Sequence, residues 1–168
     1  MAETDEAALE SYRQAIRNLI EANSTYIMNN SMPSHASVII AEFIRAAKHK
    51  VLALCNGLSD TVWGDRVLLE EVEKAIGRGV EFRVVTTEDA SSSKFMGKMR
   101  NCGKLGRVSR FRDSKISHFV VVDDRMFRLE KDADRRTAIA CANDQATATE
   151  LCSLFDAIAS LSSPALPA

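Results

Sequence analysis

A length of 168 residues and a formal net charge of −1 set the first bounds. They fit one domain of ordinary size and exclude a globally basic nucleic-acid binder, while leaving room for a local basic patch. No stretch approaches the roughly 20 apolar residues that span a bilayer. The acidic start "MAETDEAALE" lacks the basic-then-apolar layout of a secretory signal, so a cytoplasmic chain is expected.

The first predicted element is a helix over about 5–22, where Leu9, Tyr12, Ile16, Leu19 and Ile20 recur at helical spacing. "NSTYIMNNSMPS" then reads as turn and cap residues. A second helix follows, with Ser31 or Ser34 as N-cap, Pro33 in its first turn and Ile40, Phe43, Ile44 and Ala47 as its stripe. "KVLALCN" is a buried strand. Asp65 caps a third helix bearing Leu68, Val72, Ala75 and Ile76, which stops at "GRG". "VEFRVVTT" is the next strand, and the strand–helix–strand order implies a parallel βαβ unit.

"SSSKFMGKMRNCG" is a short helix or irregular stretch, and "GRVSRFRD" a weak strand. "HFVVVDDRMFRLE" reads as a hairpin turning at "DDR". "TAIACAND" is the last strand, and the last helix buries Leu151, Leu154, Phe155 and Ile158. The expected fold class is α/β, a mixed sheet flanked by helices. Residues 1–30 form a helix and connector, 31–162 the α/β domain, and 163–168 a tail that frays.

Cys55, Cys102, Cys141 and Cys152 show no C-x-x-C spacing and no nearby histidine, so no metal site and no cofactor is expected. Three lie in apolar runs and read as buried thiols. Cys102, between Arg100 and Lys104, reads as more exposed, with neighbours that favour a thiolate.

From residue 34 to 160, this order resembles one half of the phospholipase D superfamily. There a βαβ unit leads to a strand bearing H-x-K-x-x-x-x-D, then a G-S-x-N segment, then a closing strand and helix. "SHFVVVDDRMFRLE" occupies the place of that strand, and "AIACANDQATATELCSLFDAIASL" that of the closing piece. The resemblance implies two histidines, one per half or subunit, acting on a phosphodiester. One attacks phosphorus and the other protonates the leaving oxygen.

His118 matches the histidine. Val120 stands where the lysine belongs, Arg125 takes the aspartate's place beside Asp123 and Asp124, and "FRLEKD" replaces G-S-x-N. A valine cannot donate to a phosphoryl oxygen, and losing such a donor costs about 2.7–4 kcal/mol in the transition state. Arg128 and Lys115 are the nearest substitute cations, and Glu130 is placed to orient His118 as a His–carboxylate pair. His35 and His49 are weaker candidates.

Lys94, Lys98, Arg100, Lys104, Arg107, Arg110, Arg112 and Lys115 form a basic block whose only acid is Asp113. Such a block neutralises phosphates without reading sequence. Alternatively it is a solvated loop, or pairs with the acidic N-terminus.

Three functions are carried forward. The first is a non-catalytic domain that binds nucleic acid or a phosphorylated small molecule in a groove between His118 and the block. Its candidate ligand residues are Arg107, Arg110, Arg112, Lys115, His118, Arg128 and Glu130. The second is a metal-independent phosphodiesterase in which a homodimer pairs two catalytic copies of His118. The third is a protein–protein adaptor using the first helix around Tyr12, Ile16 and Leu19, whose apolar stripe is also the expected dimer contact.

Overall fold

Strand β2 (Lys50–Cys55) is apolar on both faces because it lies inside the sheet with helices above and below, as a computed structural model describing residues 2–113 and 115–165 reveals. Before it come α1 (Ala2–Glu21), the three-residue strand β1 (Met28–Asn30) and α2 (Pro33–Ala46). After it come α3 (Arg66–Gly77), β3 (Glu81–Thr86), α4 (Lys94–Met99), a 3-10 turn at Gly103–Leu105 and β4 (Gly106–Arg110). The chain closes with β5 (Phe119–Val122), β6 (Met126–Asp132), β7 (Thr137–Cys141), α5 (Gln145–Ser160) and β8 (Ser163–Pro164).

The strands form one sheet in the order β1-β7-β6-β5-β2-β3-β4-β8. β2, β3 and β4 run parallel, and every other pairing is antiparallel, so the sheet is mixed as the sequence implies. Alternation sends Val51, Ala53, Phe82, Val84, Val120 and Val122 to one face, against Ile40, Phe43 and Ile44 of α2 and Leu68 and Val72 of α3. Leu52, Leu54, Val85, Phe119, Val121 and Phe127 go to the other, against Leu151, Phe155 and Ile158 of α5. Each valine, leucine, isoleucine or phenylalanine among them contributes about 1.5–3 kcal/mol when fully buried.

Several local expectations hold for the reasons given. Asp65 caps α3 by accepting from Leu68 N at 3.0 Å. Gly79, at φ +86°, lets the chain leave that helix. Asp123 and Asp124 both sit in the left-handed region, at φ 51° and 55°, which makes the β5–β6 turn type I′.

Others need correction. The connector after α1 contains β1, which pairs with β7 through Met28–Ala140 and Asn30–Ala138. The residue preceding α2 is Met32, with no side-chain cap, rather than Ser31 or Ser34; Pro33 itself starts the helix. The tail adds strand β8 to β4 at Ser163 and Pro164, and Ala165 N donates to Val108 O at 2.9 Å; residues 166–168 lie outside the described residues.

The stripe of α1 is not spare. Ile16 and Ile20 are buried in the core, and Tyr12 and Leu19 pack against it, so the adaptor and dimer surface expected there is already occupied by α2 and its neighbours. A buried carboxylate fixes that contact. Glu42 of α2 accepts from Arg17 Nε at 2.9 Å, Arg13 Nη1 at 3.2 Å and Arg45 Nε at 2.6 Å. The acidic N-terminus therefore spends Glu10 on Arg13 and Arg17 of its own helix, not on the basic block.

Candidate functional site: a donor-lined pocket at His118

His118 directly precedes β5 and continues its ladder, because its carbonyl accepts from Glu130 N at 2.9 Å. The two side chains share a face. His118 Nδ1 lies 3.5 Å from Glu130 Oε1, and each side chain is 22% exposed, so the pair is accessible from one side only. Two residues along the hairpin, Val120 faces Arg128. Alternation thus places Arg128 in the same pocket as His118, on the strand next to the one where the resemblance expects a lysine.

Arg128 Nη2 donates to Asn30 Oδ1 at 3.1 Å, across β7 to the edge strand β1. Burial pulls the Arg128 guanidinium below its usual pKa, opposed by the charges of Glu130 and Tyr12. Tyr12, from α1, is pushed up by burial, with Arg128 acting the other way. Its ring stacks on His35 at 4.2 Å between centroids.

Four polar atoms in this neighbourhood are buried without a hydrogen-bond partner: His118 Nε2, Arg128 Nε, Asn30 Nδ2 and Tyr12 Oη. Three of the four residues are neighbours through Arg128, by its bond to Asn30 and its charge interaction with Tyr12. All four atoms can donate, and the Arg and Asn nitrogens can only donate. Leaving such groups unpaired costs about 1–3 kcal/mol each. Together they form a site short of acceptors.

A cavity of about 340 Å³ is lined by two of the four, His118 and Arg128. The hairpin supplies His118, Val120, Arg128 and Glu130. The start of α2 supplies Ser31, Met32 and Pro33, and the loop after β2 supplies Asn56, Ser59, Thr61 and Trp63. Arg136, exposed and at φ 54° in the β6–β7 turn, also lines the pocket. The pocket lining sets Arg128 and Arg136 against one carboxylate, Glu130, and adds the apolar Ile40, Leu54 and Trp63. It can hold an oxyanion that carries a larger group. Among the described residues, no cluster of His, Cys, Asp or Glu could hold a metal ion.

The other sequence candidates lie elsewhere. Arg110 is exposed at the end of β4, near enough to Asp89 to help hold that carboxyl below its usual value, behind hydrogen bonds from Ser91. Arg112 and Lys115 are exposed in the following loop and do not line the cavity. Arg107 pairs in register with Arg83, which lies over Phe155 of α5, so Arg107 is on the opposite face of the sheet. The expected single groove between His118 and the basic block is therefore not formed: the sheet lies between Arg107 and His118, and neither Arg110, Arg112 nor Lys115 lines the pocket. Lys98 is paired with Glu73.

The aspartates of the quoted motif serve the turn instead. Asp123 accepts from the backbone N–H of Lys48, His49 and Lys50 at 2.7, 2.9 and 3.0 Å. Asp124 pairs with Lys50 at 2.8 Å and accepts from Cys152 Sγ at 3.1 Å. Both are at the far end of β5 from His118. Asn143 donates to Asn23 O and takes no part in the pocket. Cys102 is also reassigned. It is half-buried, burial raises its pKa, and its Sγ donates to Lys98 O at 3.0 Å.

No family profile matches this sequence, and no curated protein matches it. Solved structures do. NUC from Salmonella typhimurium, a phospholipase D family member, superposes with a TM-score of 0.58 over 83% of this chain and 95% of its own, at 14% identity. The fold is phospholipase D-like. NucT from Helicobacter pylori gives a TM-score of 0.60 over 83% of this chain and 99% of its own, at 10% identity. TrmBL2, an archaeal chromatin protein with a novel mode of DNA binding, gives 0.67 at 15% identity. That match covers 96% of this chain, which spans 63% of the length of TrmBL2. At these identities the likeness concerns the phospholipase D-like fold alone.

Tyr12, Asn30, Trp63 and Arg136 have no motif signal. Trp63 and Arg136 line the pocket from two loops, while Tyr12 on α1 and Asn30 on an edge strand touch it only through Arg128; sequence spacing brings none of these elements together.

Proposed function

We propose that this chain is a non-catalytic phospholipase D-like domain whose pocket at His118 binds a phosphate group carried by a nucleic acid or a phosphorylated small molecule. The observation that supports it is the pair of buried, unpartnered nitrogens on residues that line the pocket, His118 Nε2 and Arg128 Nε. A phosphate brings several acceptor oxygens and negative charge, and would satisfy donors that otherwise carry a desolvation cost. Arg128 and Arg136 supply charge, and His118, oriented beside Glu130, supplies a further donor when protonated. Trp63, Met32 and Val62 form the apolar wall for the rest of the ligand. DNA binding by TrmBL2, on a similar fold, agrees with a nucleic-acid ligand.

The proposal excludes efficient turnover because Val120 offers no donor on β5 and "FRLEKD" offers no serine or asparagine. The test is a titration with inorganic phosphate and with a nucleoside monophosphate, followed by Trp63 fluorescence, beside an assay on bis-p-nitrophenyl phosphate. Saturable binding lost in Arg128→Ala, with no hydrolysis, is expected.

A second reading, a homodimeric phosphodiesterase, is favoured by one observation: Arg128 stands directly across from the vacated lysine position. Metal-independent hydrolysis that vanishes in His118→Ala, together with a dimer by light scattering, would replace the first reading with this one.

A further inference from the structure

Three basic residues that do not line the His118 pocket have a groove of their own. Arg83 of β3 and Arg107 of β4 are register partners on adjacent parallel strands, so their side chains leave the same face about 4.8 Å apart. Arg83 is already ordered, by Asp156 at 2.7 Å and by stacking on Phe155 at 5.1 Å. Arg100, just past α4, enters from a third element; its Nη2 donates to Ser91 O at 3.1 Å, leaving its other donors available. The three surround a groove of about 850 Å³ with no carboxylate in its lining.

We infer that this groove, bounded by β4, the end of α4 and α5, is a second anion-binding surface that takes the sugar–phosphate backbone of a nucleic acid. It goes beyond the pocket proposed at His118, with which it shares no lining residue.

Three features favour a polynucleotide over a small phosphate or an acidic peptide. The groove is more than twice the volume of the His118 pocket, too large for one phosphate to fill. Its cations come from three elements, and guanidinium forks suit successive phosphates. An acidic peptide would gain most of its affinity by adding a strand to the β4 edge. Much of that edge is already taken by Ser163 and Pro164, with Ala165 bonded to Val108 O. Gly103 has open space where a side chain would stand, so a backbone can approach closely there.

The test uses the full chain and a labelled duplex of about 30 base pairs, with anisotropy read from about 20 to about 200 mM salt. The double variant Arg100→Ala, Arg107→Ala should flatten the slope of log affinity against log salt by roughly two units, at about 0.9 for each phosphate that is no longer neutralised. Arg100→Lys with Arg107→Lys should retain most of the slope, which separates lost charge from a damaged fold. Both variants should bind inorganic phosphate at the Trp63 pocket as the parent does, so a failure of this surface and a failure of the His118 reading are told apart. An unchanged slope in the alanine variant overturns the inference. So does competition by polyaspartate as strong as that by unlabelled duplex, which would make the surface a generic polyanion or peptide site.

Discussion

Val120 and Arg128 are direct cross-strand partners, so β6 sets a guanidinium beside the core valine of β5 on the same face of the sheet. Val120 is 3% exposed and part of the core. Putting lysine there places a second buried charge beside a guanidinium that burial already disfavours. Val120→Lys alone should cost about 3 kcal/mol. Adding Arg128→Met should recover most of that loss, because one cation then occupies the space of one. Urea unfolding of the parent, both single variants and the double gives the coupling directly. Additive costs would mean that the two positions do not share a pocket.

Glu42 gives a pH-dependent prediction. Burial pushes its carboxyl up, but hydrogen bonds and charge from Arg17 and Arg45 outweigh that and hold it below its ordinary value of 4.5. A depressed folded pKa stabilises the protein above the ordinary value, and the contribution is lost as pH falls through the folded one. Glu42→Gln should therefore cost roughly 3 kcal/mol near neutrality, since it leaves three arginines without their shared partner. The gap between parent and variant should close as the solution is taken well below 4.5. A gap that stays constant with pH would show that the carboxylate's charge is not what ties α1 to α2.

The parts of the fold that were legible in the sequence are those where a segment's own pattern decides its state. The run of Leu52, Ala53 and Leu54, the stripe of α3 and the two aspartates of the hairpin turn are of this kind. β1 and β8 are not. Each is two or three residues long and becomes a strand because a neighbour, β7 or β4, presents an unpaired edge to it. Pro164, poor in any central strand, is tolerated at such an edge.

The candidate site divides in the same way. His118, Arg128 and Glu130 were legible because hairpin alternation puts them on one face. Asn30, Tyr12 and Arg136 join them only through tertiary packing. The basic block misled because closeness in sequence ignores the sheet: Arg107 and His118 are 11 positions apart but on opposite faces.

The thiols should be slow, Cys141 because it is fully buried. Burial pushes Cys55 far up, and burial with a hydrogen bond to Asp124 pushes Cys152 up to about 12. Cys102 is raised as well, by burial and then by Glu73, with Lys98 opposing, and its basic sequence neighbours do not reverse this. At pH about 8, a thiol near its free value reacts readily with a disulfide reagent, whereas these should react only slowly. Cys102 should be first, and the remaining three should appear on unfolding in urea. A fast single-thiol burst in the native protein would restore Cys102 as a reactive residue.

Asp123 and Asp124 stand close to where the resemblance expects a catalytic aspartate, and their variants separate turn chemistry from site chemistry. Asp123 gathers three backbone N–H groups at the start of β2 and holds a left-handed turn position. Asp123→Ala loses all three bonds and puts an alanine at positive φ, for a cost of about 2–3 kcal/mol. Asp123→Asn tolerates the same φ and keeps one acceptor oxygen, so it should cost about half as much. Asp124→Asn breaks the pair with Lys50, but those side chains are 53% and 36% exposed. It should cost less than about 1 kcal/mol. None of the three should change phosphate binding at Trp63, because the turn lies at the opposite end of β5 from His118. Weaker phosphate binding by Asp123→Ala, at a concentration of denaturant where it remains folded, would bring the aspartate back into the site.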